Sequence, residues 1–424
     1  MSPALTDRRR RQALTLLIVI NLFNYIDRYV LAAVLTRIGA EMLSGDPKLN
    51  TKEGLLSTVF LISYMVLSPV FGILGDRFAR WKLIGVGVLL WSLASGASGV
   101  AGNYWLLLFT RALVGVGEAA YGPVAPTLIA DLYPVEQRGK VMSWFYMAIP
   151  VGSALGYTLG GVADAFLDWR WAFYLVVPPG LLLGVLCFFL PEPSREMRSA
   201  HHARWSDYAE LLRTPSYLWN TFAMTALTFA IGGIAFWMPK YIAEFRGAGS
   251  LAKVNLTFGI ITVITGISAT LLGGITGDAL RTRIRGAYFF ISAIALALAF
   301  PMLLLILYMP FPVAWIFIFL AEFCLFFNTG PSNTALANVA RPHVRATAFA
   351  LNIFVIHALG DAISPPIIGW LADLTHSDLH PKGNLDVGFV VVGALMLLGS
   401  AAWFVGSKTL DRDTARASTP LDEA

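Results

Sequence analysis

The sequence predicts an all-α integral membrane protein, with twelve transmembrane helices arranged as two six-helix bundles. The first observation behind this is composition. The 424 residues are 57% hydrophobic and 13% charged, with a mean hydropathy of +0.66, against roughly 45–50% apolar and about 25% charged in soluble domains. The second is the presence of twelve apolar runs long enough to cross a bilayer. The third is a short charged loop that recurs at matching places in the two halves.

A helix needs about 20 mainly apolar residues to cross the hydrocarbon core. Breaking the chain at charged or Pro/Gly-rich joints gives runs over residues 13–36, 53–74, 83–101, 104–129, 141–163, 170–190, 217–240, 254–276, 287–308, 312–337, 346–370 and 386–407. The first follows Arg8, Arg9, Arg10 and Arg11, a basic flank of the kind that precedes a signal peptide. The run is longer than an h-region and contains Asp27 and Arg28, so it reads as an uncleaved first helix. An even number of spans puts both termini on one side. Lys and Arg number 21 in the loops and tails of that side and 8 in the opposite loops, the other two of the 31 being Arg28 and Arg111 within spans. That bias places both termini in the cytoplasm.

The same bias accounts for the formal charge of +5 without a nucleic-acid partner. Cys187 and Cys324 both fall in apolar runs, where they read as small core hydrophobes, and neither a disulfide framework nor a metal site is expected.

The longest internal connection, residues 191–216, separates an N-terminal bundle over 1–190 from a C-terminal bundle over 217–424 with a short cytoplasmic tail. It reads either as a disordered linker or, from the helical spacing of Trp205, Tyr208, Leu211 and Leu212, as an amphipathic helix on the membrane surface. His201 and His202 have no ligand set beside them in sequence and read as solvated.

"GILGDRFARWK" joins spans 2 and 3, and "GITGDALRTRIR" joins spans 8 and 9, with Asp76 and Asp278 lying 202 residues apart. This is the mark of a parallel repeat, with a substrate site expected near the midplane between the halves. Gly72 and Gly274 permit close helix contact. Asp76 followed by Arg77 and Arg80, and Asp278 followed by Arg281, can form charge-assisted bonds that latch neighbouring helices in one conformation. A loop that only sets topology is the plainer reading of either copy alone.

Twelve spans, the division into six and six, and "GILGDRFARWK" resemble the major facilitator superfamily and its loop signature. Within that superfamily, "NYIDRYVLAAVL", "GLLSTVFLISYMVLSPVFGILGDR", "WLLLFTRALVGVGEAAYGPVAPTLIADLYP" and "FYMAIPVGSALGYTLGG" resemble the Spinster branch over most of residues 20–161. The resemblance implies secondary transport of lysophospholipids or sphingoid phosphates, often proton-linked, by alternating access. Short loops and tails suit a bacterial chain, hence an inner-membrane protein. "GSALGYTLGG" is similar to the glycine-rich antiporter signature of span 5, but Tyr157 stands where that signature has proline. The glycines Gly152, Gly156 and Gly160 can equally serve close helix packing.

Ionisable groups inside spans are costly and face a cavity or a partner. Here they are Asp27, Arg28, Arg111, Glu118, Glu322 and Asp361, with His357 beside the last. At about 1.5 Å of rise per residue, Asp27 lies roughly 21 Å from the inner face and Arg111 roughly 10 Å from the outer. In a core of about 30 Å these depths nearly coincide, so Asp27 is expected to meet Arg111 and Arg28 to reach toward Glu118. Two arginines and four carboxylates leave a net charge of −2, which calls for protonation of some acids or for a counter-cation.

Proton coupling follows as the expectation, with Asp27 and Glu118 as leading carriers and Glu322 and Asp361 as further candidates. Arg28 and Arg111 are candidate anion ligands, Glu118 their competitor, and Asn328, Asn352 and His357 candidate substrate contacts. Each asparagine also reads as helix-packing glue, and His357 as a satisfied core histidine.

The expected function is proton-coupled transport of an anionic amphipathic lipid, with a small organic anion or drug as the alternative cargo. No enzyme constellation is visible. The proton gradient is the expected energy source, no cofactor is called for, and a monomer is expected.

Overall fold

A computed structural model describes residues 7–133, 141–142, 144–192, 211–341, 345–377 and 380–418. The first three expected spans are α1 (Asp7–Met42), α2 (Leu49–Arg77) and α3 (Arg80–Val100). The fourth is α4 (Tyr104–Ala119) with α5 (Ala125–Leu132), the fifth includes α6 (Ala148–Phe166), and the sixth is α7 (Trp171–Tyr174) with α8 (Val177–Cys187). Then follow α9 (Pro215–Lys240), α10 (Leu251–Leu280) and α11 (Ala287–Tyr308). The tenth span is α12 (Ala314–Phe327) with α13 (Thr329–Val339), the eleventh α14 (Arg345–Ile356) with α15 (Ser364–Leu374), and the last α16 (Leu385–Ser418). Single π-helical turns extend α9 over Tyr241–Phe245 and join α14 to α15 over His357–Asp361.

Among the described residues nine helices are long and apolar enough to cross a membrane. The fourth, fifth and sixth expected spans fall outside that number, for local reasons. The fourth is divided by a turn containing Gly122 and Pro123, after which Pro126 sits in the first turn of α5, where its missing N–H removes no helical bond. Pro178 opens α8 in the same way. In α6, Gly152, Gly156, Gly160, Gly161 and Asp164 dilute the apolar content of its 19 residues.

Several helices outrun their apolar runs, α1 and α16 most clearly, because a helix continues into water at no loss of backbone bonding. Hydropathy marks the buried stretch rather than the helix end. Pro69, Pro239 and Pro301 lie inside helices, and Pro239 stands two residues before a π turn, a local adjustment that re-satisfies the freed backbone groups.

The chain forms two compact units, one comprising Met1–Arg198 with Phe236–Val263, the other Ser199–Ala235 with Ile264–Ala424. In the first, α1 packs along α6, α2 and α3 pack on α4, and α3 on α8. Small residues set these contacts. A Cβ on Gly152 would lie 2.7 Å from the Leu22 carbonyl oxygen, on Gly156 2.7 Å from that of Ile26, and on Gly160 2.5 Å from Ala33 Cβ. The fourfold glycine spacing is thus the α1–α6 seam. Tyr157 is buried in the same region, edge-on to Tyr29 at 5.1 Å and to Phe258 at 5.2 Å. On the other side of the unit, a Cβ on Gly117 would lie 2.6 Å from the Trp91 amide nitrogen, so α3 and α4 cross backbone to backbone.

In the second unit, α11 packs along α16 and α12, and α15 along α16. Buried Trp403 donates from Nε1 to Asn220 Oδ1 at 2.9 Å. Gly286, at φ 60°, starts α11 and donates its N–H to the Asp411 carboxylate. A side chain there would be strained and would strike the Ser407 carbonyl. Outward faces carry large apolar side chains such as Val66, Ile73, Trp105, Phe109, Phe166 and Ile275, the surface expected of helices bathed in lipid rather than water.

Candidate functional site

Asp27 and Arg28 are adjacent on α1, and successive helical residues point about 100° apart. They therefore meet different partners. Asp27 accepts a hydrogen bond from Ser95 Oγ on α3 and lies 3.8 Å from Arg111 Nη1 on α4. Arg28 donates from Nε to Glu118 Oε2 at 2.8 Å, with an Nη2 contact of 2.7 Å to the same oxygen. Arg111 and Glu118, seven residues apart, share one face of α4, so the two pairs stand about 10 Å apart along that helix.

The four groups differ sharply in access. The side chains of Asp27, Arg111 and Glu118 are 2%, 1% and 0% exposed, whereas that of Arg28 is 19% exposed. Rings surround the Arg28 guanidinium, with centroids at 5.0 Å for Tyr25, 5.0 Å for Phe60 and 5.2 Å for Tyr64. Arg111 lies 5.6 Å from the Phe60 ring. Such rings favour a cation without neutralising it, so a guanidinium that leaves one carboxylate for another anion keeps its surroundings.

Hydrogen bonding within the group is incomplete. Asp27 Oδ2, Arg111 Nε and Nη1, and Glu118 Oε1 are buried and make no hydrogen bond to another protein atom among the described residues. A buried polar atom left unsatisfied costs about 1–3 kcal/mol.

Two features escape the sequence reading. Ser95 continues a stripe of small polar residues, Ser92, Ser95 and Ser98, all buried on one face of α3. Their i, i+3, i+6 spacing is the signal that points to it. The second is a buried ion pair in the first unit, Lys240 Nζ to Glu53 Oε2 at 2.5 Å, with side chains 3% and 0% exposed. In sequence both residues stand at span ends, where charges ordinarily face water, so neither is singled out.

In the second unit His357 Nδ1 lies 3.0 Å from both carboxylate oxygens of Asp361. Both are part-buried, and a Cβ on Gly232 would lie 2.5 Å from Asp361 Cβ, so α9 presses close against this π turn. Buried Glu322 accepts from Thr265 Oγ1 at 3.1 Å. Asn328 donates to the Cys324 carbonyl of its own helix at 2.8 Å, while buried Asn352 Nδ2 lies 3.5 Å from Met224 Sδ. The first unit's four charges cancel, so the −2 excess belongs to Glu322 and Asp361 beside a titratable histidine.

In the loop after α2, Gly72 has open space beside it, Arg77 is exposed, and the Asp76 side chain lies outside the described residues. Arg80 is buried and bonds Asp131 at 2.5 Å and Glu192 at 2.8 Å, pinning the ends of α5 and of the sixth span to α3 within one unit. In the matching loop, Tyr288 donates to Asp278 at 2.7 Å, Gly274 approaches Gly330, and Arg281 is exposed. His201, His202, Trp205 and Tyr208 lie outside the described residues.

Helices long and apolar enough to cross a membrane, with ionisable side chains paired inside them, define a multi-pass membrane protein whose buried charges mark a functional site. The comparisons with known proteins specify the family. Residues 17–365 match the Major Facilitator Superfamily. The chain is 37% identical to a human Spinster homolog 1, over 97% of this chain and 83% of that one. It is 38% identical to a Danio rerio Spinster homolog 3, over 87% and 78%. A Danio rerio sphingosine-1-phosphate transporter is 34% identical, over 93% and 84%. A crystal structure of a bacterial Spinster homolog, inward-facing and unoccupied, superposes with a TM-score of 0.82 at 18% identity, covering 96% of this chain and 99% of that one. A D-xylose-proton symporter has the same fold at a TM-score of 0.73 and 17% identity, over 92% and 96%. The chain belongs to the Major Facilitator Superfamily, in its Spinster branch, a family of transporters.

Proposed function

We propose that this protein moves an anionic amphipathic lipid, a lysophospholipid or sphingoid phosphate, by proton-coupled alternating access. One observation carries the reading. Of the four charges in this group only Arg28 is partly exposed, and its carboxylate partner among the described residues, Glu118, is wholly buried. A phosphate headgroup approaching Arg28 competes with Glu118. Protonating Glu118 removes its charge and releases Arg28 to the headgroup, and loss of the proton reclaims the guanidinium and expels the anion. Asp27, held by Ser95 and Arg111, is the second carrier. Its protonation loosens Arg111, seven residues from Glu118 on the same helix face, and so links the two events.

Glu322 and Asp361 with His357 supply further protonation sites in the second half, where these two carboxylates lie inside spans that hold no arginine. Asn328 and Asn352, each with a buried unpaired Oδ1, offer acceptors to a headgroup hydroxyl or ammonium. The halves 1–190 and 217–424 are the two transport repeats, the linker 191–216 and both termini being cytoplasmic in a bacterial inner membrane. The loops around Asp76 and Asp278 latch neighbouring helices within each half. Arg80 sets the first by fixing the ends of three spans.

The test is uptake of a fluorescent lysophospholipid into proteoliposomes, with and without a proton gradient, for the wild type and Arg28→Ala. Gradient-dependent uptake lost in the variant supports the reading. Gradient-dependent uptake of a small organic anion, with no lipid movement, replaces the cargo and keeps the charge mechanism.

A further inference from the structure

A ligand-sized space lies beside the start of α1. A groove of about 680 Å³ runs between the start of α1 and α8, within the roughly 300–1,000 Å³ usual for small-molecule sites. Its two ends differ in chemistry. At the chain-terminal end it is walled by Arg8, Arg11 and Gln12; further along it is walled by Thr15 and Val19 of α1 and by Leu183 and Leu186 of α8. The α1 residues recur every three or four positions, so they form one stripe that changes from basic to polar to apolar along a single helix face.

The charges in this stripe are available. Asp7, the one acid in the lining, is paired with Arg10. Arg8 and Arg11 are exposed, and neither has an ion pair among the described residues. The stripe also has a telling length. Arg8 to Val19 is eleven residues, about 16 Å of helix, of which the part from Thr15 to Val19, about 6 Å, lies inside the span. A basic rim beside a short apolar slot fits a molecule with an anionic head and the first carbons of an acyl tail. It does not fit a soluble anion, which would leave the Val19, Leu183 and Leu186 walls uncovered, or a neutral lipid, which would leave both guanidinia unmatched.

We propose that this groove is a binding site for one anionic phospholipid of the surrounding leaflet, its phosphate held by Arg8 and Arg11 and the first carbons of an acyl chain lying between Val19 and the Leu183–Leu186 face. The occupant is bound from the bilayer as a structural lipid and is distinct from the cargo at Arg28. Basic residues beside a span draw anionic lipid in general; what this groove adds is a defined seat for the tail. Because α1 carries Asp27 and Arg28 further along, an occupied groove steadies the base of the helix on which those charges ride.

Native mass spectrometry of the full-length protein, released from neutral detergent with phosphatidylglycerol or phosphatidylcholine added, reads the site directly. The wild type should retain one phosphatidylglycerol in preference to phosphatidylcholine. In Arg8→Ala/Arg11→Ala that retention should weaken by about 30-fold, with phosphatidylcholine binding unchanged. Thr15→Trp, which fills the slot from an exposed position and leaves every charge in place, should weaken it comparably. Arg9→Ala, which removes a charge outside the lining, should cost no more than the general surface contribution of one charge, about fivefold. Three results overturn the site: no preference for phosphatidylglycerol in the wild type, equal loss in Arg9→Ala, or wild-type retention in Thr15→Trp. Displacement of the lipid by tailless glycerophosphate would likewise show a headgroup patch without a seat for the chain. None of these readouts depends on transport, so the site stands or falls separately from the proposed cargo.

Discussion

Replacing Glu118 by Gln removes the carboxylate that competes for Arg28 while keeping the shape of the side chain. The magnitude follows from the contact removed. Arg28 meets Glu118 Oε2 at 2.7 and 2.8 Å, and hydrogen bonds involving charged groups contribute about 1.5–3 kcal/mol net. An incoming phosphate headgroup must displace that contact in the wild type and need not in Glu118→Gln. The variant should therefore bind a lysophospholipid about 10- to 150-fold more tightly at neutral pH.

The pH dependence supplies the sign. In the wild type, acid protonates Glu118 and frees Arg28, so affinity rises as pH falls. In Glu118→Gln affinity should be high and nearly flat, because the titrating competitor is gone. Tryptophan-quenching or calorimetric titration of purified protein with lysophosphatidylglycerol between pH 5 and 8 reads both effects. Unchanged affinity with an unchanged pH slope in Glu118→Gln would refute the competition between headgroup and carboxylate.

Other expectations follow from the same structure. Asp27→Asn should keep lipid binding yet lose most of the proton dependence of uptake, and Ser95→Ala, which removes only the hydroxyl donor, should shift the pH midpoint of uptake without abolishing it; pH profiles of initial rates distinguish the two. Removing one partner of the buried Glu53–Lys240 pair should destabilise the protein by about 3–5 kcal/mol, whereas Glu53→Gln/Lys240→Met should recover much of that loss, as read by thermal unfolding in detergent. Gly156→Val places a branched side chain where even a Cβ would sit 2.7 Å from the Ile26 carbonyl, and should cost about 1–3 kcal/mol by parting α1 from α6, again visible as a lowered unfolding temperature.

The sequence made the transmembrane architecture legible because a bilayer imposes a length and an apolar composition that few other environments demand. The meeting of Asp27 with Arg111 was legible for the same reason, since helix rise converts residue number into distance. Arg28 meeting Glu118 follows from that arithmetic plus the length of an arginine.

What lay beyond it depends on tertiary placement. Ser95 reaches Asp27 from 68 residues away, and serines in a membrane helix equally satisfy their own backbone, as Ser92 and Ser98 do here. Glu53 and Lys240 stand at span ends, where a charge is ordinarily solvated, so only the packing of distant segments makes them a buried pair. Arg80 stands four residues after Asp76 in sequence, yet its bonds to Asp131 and Glu192 come from the ends of two other spans. Turns inside the fourth and sixth spans were signalled by Gly122-Pro123 and by Pro178-Pro179, yet proline is tolerated inside α2, α9 and α11, so its presence alone does not divide a helix.

The most direct test of the central claim is whether lipid movement carries protons. Proteoliposomes with a pH-sensitive dye inside, no imposed gradient and lysophosphatidylglycerol added outside should show a change in internal pH that tracks lipid entry. The change should vanish in Glu118→Gln while lipid still binds. Lipid entry at the wild-type rate with no pH change would contradict proton coupling at this site and leave Arg28 and Glu118 as a structural pair.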